Sequence, residues 1–176
     1  MRRLMLLRHA KSEWANAGGG DHERPLNARG RDAAPKIGAY LFRAKIFPDL
    51  VLCSTAQRTR QTCELVTASF DKTPAIRFRD KLYLAEPEAI IGIVRETPDE
   101  VRALMIIGHN PGIHQAAADL TGSGSAEARE LLAAKFPTAA LAILDFATDD
   151  WAGIGLHAGK LDCFVTPRLL ARQDPI

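Results

Sequence analysis

Three short clusters in this chain carry side chains that can do chemistry: Arg8–His9, Ser54–Arg58 and Gly108–His109–Asn110. Each follows a run of apolar residues, Leu4–Leu7, Leu50–Cys53 and Ala103–Ile107. Arginine offers planar, bidentate donors that match the oxygens of a phosphoryl group. Histidine is a nucleophile when neutral and a hydrogen-bond donor when protonated. Helix starts, expected after the second and third clusters, add unpaired backbone N–H groups and the positive end of a dipole. Phosphoryl transfer asks for an aligned nucleophile, dense positive charge around the equatorial oxygens, and little else. Together the clusters suit transfer of a phosphoryl group to a histidine, followed by attack of water. Singly they do not: an Arg-His pair, a Gly-His-Asn turn and arginines in an early helical turn are ordinary surface features.

The clusters cooperate only if the chain brings them to one place. Arg2–Leu7 reads as a buried strand that delivers Arg8–His9 at its end. Trp14–Pro25, with Gly18–Gly20, two acids and a proline, reads as a loop. Asn27 is placed to cap a helix from Ala28 to about Lys45, with Pro35 inside it as a point of kinking or early termination. Asp49–Cys53 is a second buried strand, after which Ser54 or Thr55 caps a helix from Ala56 to about Ser69. Ala75–Phe78 is a weaker strand, and Pro87–Arg95 a short helix opened by proline. Ala103–Ile107 is a strand closed by Gly108–Gly112, and a helix from about Ile113 to Leu120 follows. Thr121–Ser125 reads as a loop and Glu127–Ala134 as a short helix. Ala139–Phe146 and Gly153–Phe164 read as strands, the second carrying His157. The basic tail Arg168–Arg172 reads as a frayed helix or a docking element.

Strands alternating with helices predict an α/β fold with a mostly parallel sheet covered on both faces. Ligands of such sheets bind beyond the carboxyl ends of the strands, where all three clusters fall. A length of 176 residues predicts one domain, 1–176, that buries roughly 70% of the unfolded chain's surface. The 47% apolar and 25% charged content is ordinary for a globular core that needs neither disulfide nor metal. A formal net charge of +2 argues against a general nucleic-acid binder. Cys53, Cys63 and Cys163 have no metal-ligand spacing and suit a reducing compartment. The run Leu4–Leu7, closed by Arg8, is too short for a signal segment or a membrane span, which points to a cytoplasmic protein.

Leu6-Leu7-Arg8-His9-Ala10-Lys11-Ser12 resembles the signature of the histidine phosphatase superfamily, in which an Arg-His-Gly or Arg-His-Ala turn follows the first strand. Ser54-Thr-Ala-Gln-Arg58-Thr-Arg-Gln61-Thr62 is similar to that family's Ser-Pro-x-x-Arg-Ala-x-Gln-Thr stretch, with Thr55 in place of proline. Ile106-Ile107-Gly108-His109-Asn110 resembles its third motif, and Arg24-Pro25-Leu26-Asn27-x-x-Gly30 a common lead into the first helix. The resemblance implies a three-layer α/β/α sandwich of the phosphoglycerate mutase type. It also implies that His9 becomes phosphorylated, that Arg8 and Arg58 clamp the phosphoryl oxygens, and that His109 donates a further hydrogen bond. Ser12, Arg24 and Asn110 are candidate substrate contacts. The two arginines disfavour the His9 imidazolium, while an approaching phosphate dianion favours that of His109.

Family members acting on phosphate esters use a carboxylic acid to protonate the leaving oxygen, since an alkoxide leaves poorly. Glu86 and Glu88 are the acids in the matching interval, although acids at a helix start also complement its dipole without further role. The short stretch from Thr62 to Ile107 resembles the small phosphohistidine phosphatases of the SixA type, whose cleft is open. That resemblance implies a phosphohistidine-bearing partner, such as a phosphotransfer or phosphocarrier protein, with inorganic phosphate as product. The reading invokes no cofactor, no metal, no nucleic acid and no membrane. The alternative is a small-molecule phosphomonoesterase using Glu86 as general acid, with Trp14 and Gly18–Gly20 folding over the substrate. A non-catalytic phosphate-binding adaptor is the more distant one. His22 and His114 read as solvated or packed side chains.

Overall fold

In a computed structural model of the chain, residues 1–14 and 19–173 are described. Strands are β1 (Arg2–Arg8), β2 (Leu50–Ser54), β3 (Ala75–Arg79), β4 (Ala103–Gly108), β5 (Thr121–Gly124), β6 (Leu141–Phe146) and β7 (Gly159–Val165). Helices are α1 (Ala28–Arg43), α2 (Gln57–Thr67), α3 (Pro87–Arg95), α4 (Gly112–Leu120), α5 (Ala126–Ala134) and α6 (Pro167–Gln173). The strands form one sheet in the order β3-β2-β4-β1-β6-β7-β5. Its left half is parallel throughout, β3 with β2, β2 with β4 and β4 with β1. Strand β6 runs antiparallel to β1 and to β7, and β5 closes the far edge parallel to β7.

Alternation along β1 divides the apolar side chains between two cores. Leu4 and Leu6 pack with Ile91 of α3, Ile113 of α4 and Leu132 of α5. Met5 and Leu7 pack with Ile37 of α1, Val66 of α2 and Leu170 of α6. This is the expected three-layer α/β/α sandwich. Each of these side chains contributes roughly 1.5–3 kcal/mol through burial, so β1 is anchored from both faces.

Neighbouring strands β1 and β4 send their helices to opposite faces, α1 to one and α4 to the other. That reversal opens a crevice between their carboxyl ends. Arg8 stands in register opposite Gly108, so His9 and His109 emerge side by side.

Several local expectations hold. The Asn27 side chain caps α1 by accepting from the Gly30 N–H at 3.0 Å, and the helix runs on through Pro35. Gly30 is there for space: a Cβ would lie 2.0 Å from the Lys11 carbonyl oxygen, where the loop after β1 presses on the helix.

Other expectations are corrected. Thr121–Gly124 is a strand rather than a loop, because Gly122 lets it approach the His157 carbonyl and Gly124 adopts a φ of 139°. Strand β7 begins at Gly159 rather than Gly153. The residues before it form turns that bury Trp151, whose indole N–H donates to the Val101 carbonyl at 2.6 Å. His157 therefore precedes the strand, with a φ of 57°. Strand β6 begins at Leu141 because Ala139, with a φ of 58°, turns its N–H onto the carbonyls of Arg8 and His9. Neither Ser54 nor Thr55 caps α2: the N-cap is Ala56. The tail is helix α6, with Leu170 buried.

Gly30→Ala is expected to lower the unfolding free energy by roughly 1–3 kcal/mol. Gly92→Ala, in α3 with open space around it, is expected to raise stability by roughly 0.5–1 kcal/mol. Urea denaturation of the two variants checks the opposite signs, and a neutral Gly30→Ala removes the close approach to Lys11 as a constraint.

Candidate active site

The carboxyl ends of β1, β2 and β4 surround a cavity of about 300 Å³. Arg8, His9, Arg58 and His109 line it, as do Ser12, Arg24 and Asn110, so the structure brings together seven of the eight residues singled out from the sequence. Glu86 is the exception. It stands exposed at the N-cap of α3 and does not line the cavity.

His9 is buried, and its Nδ1 lies 2.7 Å from the Ala10 carbonyl oxygen. A carbonyl only accepts, so Nδ1 carries the proton and Nε2 keeps its lone pair. Burial above all, with Arg58 and Arg8 nearby, pushes the His9 pKa down to about 3. The ring is thus neutral and oriented, with a basic nitrogen left over. The loop that carries it is fastened to α2, since the Ala10 N–H donates to Thr62 Oγ1 at 3.0 Å. Thr62 in turn donates to the Arg58 carbonyl at 2.7 Å, which ties His9 to the helix that bears Arg58.

The His109 ring lies 5.3 Å from that of His9, centroid to centroid. Its Nε2 is 2.7 Å from Ser54 Oγ, which also accepts from the Ala56 N–H at 3.4 Å. With the Ser54 hydroxyl donating to Nε2, the neutral ring carries its proton on Nδ1. That nitrogen is buried and has no partner in the protein. Burial, then His9 and Arg58, push the His109 pKa down to about 3 as well.

Arg58 is only 2% exposed. Its Nη1 donates to the Asp21 carbonyl at 2.8 Å and its Nη2 to Asp21 Oδ2 at 3.1 Å. Arg8 Nη1 and Asn110 Nδ2 both donate to the Phe136 carbonyl, at 3.0 and 2.8 Å. Arg24 bridges the Glu13 carbonyl and Asp21 Oδ1. The Nε groups of Arg8, Arg24 and Arg58 remain buried without acceptors. A buried donor left unmade costs about 1–3 kcal/mol. Such groups gathered around one cavity make a receptor for an oxyanion.

The family model of the histidine phosphatase superfamily (branch 1) matches residues 4–82. The chain is 36% identical over 166 residues to an uncharacterized protein of Mycobacterium leprae, covering 92% of this chain and 100% of that one. A crystal structure assigned as phosphohistidine phosphatase SixA from Agrobacterium tumefaciens has 32% identity and a TM-score of 0.77, covering 94% of this chain and 98% of that one. A second structure assigned as SixA, from Nakamurella multipartitia, has 30% identity and a TM-score of 0.79, over 94% and 96% of the two chains. The chain belongs to the histidine phosphatase superfamily. With these neighbours, membership makes it a phosphatase.

Within this histidine phosphatase, two contributors escaped the reading of the sequence. Asp21 accepts from Arg58, Arg24 and the Tyr83 hydroxyl, and so holds the arginine in place. The hydrogen bond from Tyr83, with Arg58 beside it, holds the Asp21 carboxyl down to about 2. Only the charge alternation Asp21-His22-Glu23-Arg24 signalled a role for that turn. Ser54, expected as a cap, orients His109 instead, and Thr55 engages His22 Nε2 at 2.9 Å. His114 packs with its Nε2 2.6 Å from the Leu132 carbonyl oxygen. Trp14 is 81% exposed on the cavity rim; Gly18, expected to share a covering role, lies outside the described residues.

Both histidines bind fewer protons folded than unfolded between about pH 3 and the ordinary value of 6.5. Folding stability is therefore full above about pH 6.5 and falls as the pH drops toward 3. Imidazole ¹⁵N NMR is expected to show His9 as the neutral Nδ1–H tautomer at pH 5, and a midpoint near 6.5 contradicts the burial argument.

Proposed function

We propose that this phosphatase takes the phosphoryl group from phosphohistidine on another protein and releases it as inorganic phosphate. The observation that carries the reading is the neutral His9, with a free Nε2 lone pair and four donors without acceptors around it. In the first step Nε2 forms a bond to phosphorus as the substrate's P–N bond breaks. The departing imidazole takes a proton from solvent. Arg8, Arg58 and His109 Nδ1 bind the equatorial oxygens, whose charge the low-dielectric cavity makes worth more than in water. In the second step water attacks phosphorus and the His9 Nε2–P bond breaks. The proton from water passes to the phosphate.

Two features support phosphohistidine over an ester. An imidazole leaves more easily than an alkoxide, so no carboxylic acid has to be delivered to it. The stretch between α2 and β4 holds only β3, a 3-10 turn and α3, and from it only Leu84 lines the cavity. The exposed Trp14 and Leu84 on the rim are then available to a protein surface.

Phosphate release is to be compared for a phosphohistidine-bearing phosphocarrier protein, a sugar phosphate and an aryl phosphate. The protein substrate is expected to turn over fastest. His9→Ala abolishes turnover and the acid-labile phosphoenzyme, whereas Arg58→Ala retains a rate lowered by about 10²–10³. Rapid hydrolysis of the esters with the phosphohistidine left intact defeats the substrate assignment. Equal, modest losses in both variants remove His9 as nucleophile.

A further inference from the structure

A groove of about 550 Å³ adjoins the cavity and shares Lys11 and Thr138 with it. It lies between α1, α5 and α6. The half-buried Leu131, Pro137 and Leu169 supply apolar surface along it, above the buried Phe164. Around them stand Lys11, Arg29, Lys36, Lys135, Arg168 and Arg172, all exposed. The single acid in the lining, Asp32, is already paired with Lys36 at 2.7 Å. Arg29, Lys135, Arg168 and Arg172 have no acidic partner among the described residues. The chain as a whole carries a formal net charge of only +2, so this excess is local. None of these cations except Lys11 lines the cavity that holds His9.

We infer that the groove is the docking site for an acidic, amphipathic segment of the phosphoprotein substrate, next to its phosphohistidine. The inference rests on the phosphohistidine reading above. A protein that inserts a modified histidine between Arg8 and Arg58 must lie over the surface around the cavity. The groove is the neighbouring surface that pairs apolar area with uncompensated positive charge. Apolar side chains of the segment cover Leu131, Pro137 and Leu169, while its carboxylates meet the arginines and lysines. Such rim charges speed encounter and set the choice of partner, and they are weakened by salt. A nucleic-acid backbone would use the cations but leave the apolar surface unmatched.

The test is the double charge reversal Arg29→Glu with Arg168→Glu. Both sites are the second residue of their helix, where a carboxylate complements the dipole and folding is preserved. Three readouts are compared with wild type. They are turnover of phosphohistidine on an acidic histidine phosphotransfer domain, turnover of p-nitrophenyl phosphate, and amide NMR shifts on titration with the unphosphorylated domain. The expected result is a KM for the protein substrate raised about tenfold, with kcat and aryl-phosphate turnover within twofold. Wild-type shifts gather in α1, α5 and α6 and vanish in the variant. Unchanged turnover of the protein substrate, shifts elsewhere, or equal losses on both substrates overturn the inference. So does a single-stranded oligonucleotide that binds the same helices as tightly as the domain. If wild type hydrolyses the aryl phosphate but not the phosphohistidine, the reading it rests on has failed. The titration alone then decides the groove: shifts in the three helices keep it, and their absence removes it.

Discussion

Arginine and histidine side chains are packed here where their N–H groups cannot all find acceptors, and that constraint governs the rest of the molecule. Arg8, Arg24 and Arg58 each bury an Nε without a partner, and His109 does the same with Nδ1. At about 1–3 kcal/mol each, such groups weigh heavily against a total stability of about 5–15 kcal/mol. The parallel register of β1 with β4 and the two cores around Leu4–Leu7 supply the rigidity that keeps the cluster from relaxing. All four residues line one cavity, so an oxyanion there meets a set of N–H donors that the protein itself leaves without acceptors.

The supporting residues explain why the motifs are longer than their chemistry requires. Arg58 serves the cavity, while Gln61 accepts from the Leu26 N–H at 2.8 Å and Thr62 grips the Ala10 N–H, so one turn of α2 holds both neighbouring loops. Asn27 and Gly30 do the same from α1, one as a cap and one as a gap for the Lys11 carbonyl. Asp21 accepts from three partners that lie 3, 37 and 62 residues away in sequence, and positions the arginine it binds.

What could be read from the sequence follows from which interactions are local. The buried parallel strands were visible as unbroken apolar runs, and the cap of α1 as an asparagine at the right place. The fold class and the convergence of His9, Arg8, Arg58 and His109 followed from those elements and from the resemblance. Strand β5 was hidden because a Thr-Gly-Ser-Gly sequence looks like a turn; only the close approach to His157 makes it a strand. Strand β7 starts later than Gly153 because Ile154, as apolar as a strand residue, is buried by turns instead. Asp21 and Tyr83 were missed because their value lies in pairing across distant segments, and no period in the chain records that. Glu86 fits a helix start in sequence, and it occupies one in space.

The contact between Ser54 and His109 has a consequence of its own. A hydroxyl group is a rotor that can present either a hydrogen or a lone pair along the same line. While His109 is neutral the serine gives its hydrogen to Nε2; if a bound phosphate draws a second proton onto the ring, the serine swivels and receives one instead. The imidazole can therefore change charge without changing place. Nδ1, the donor proposed to meet the phosphoryl group, then keeps its place whichever charge the ring carries, and the adjustment is confined to one hydrogen atom on a buried side chain.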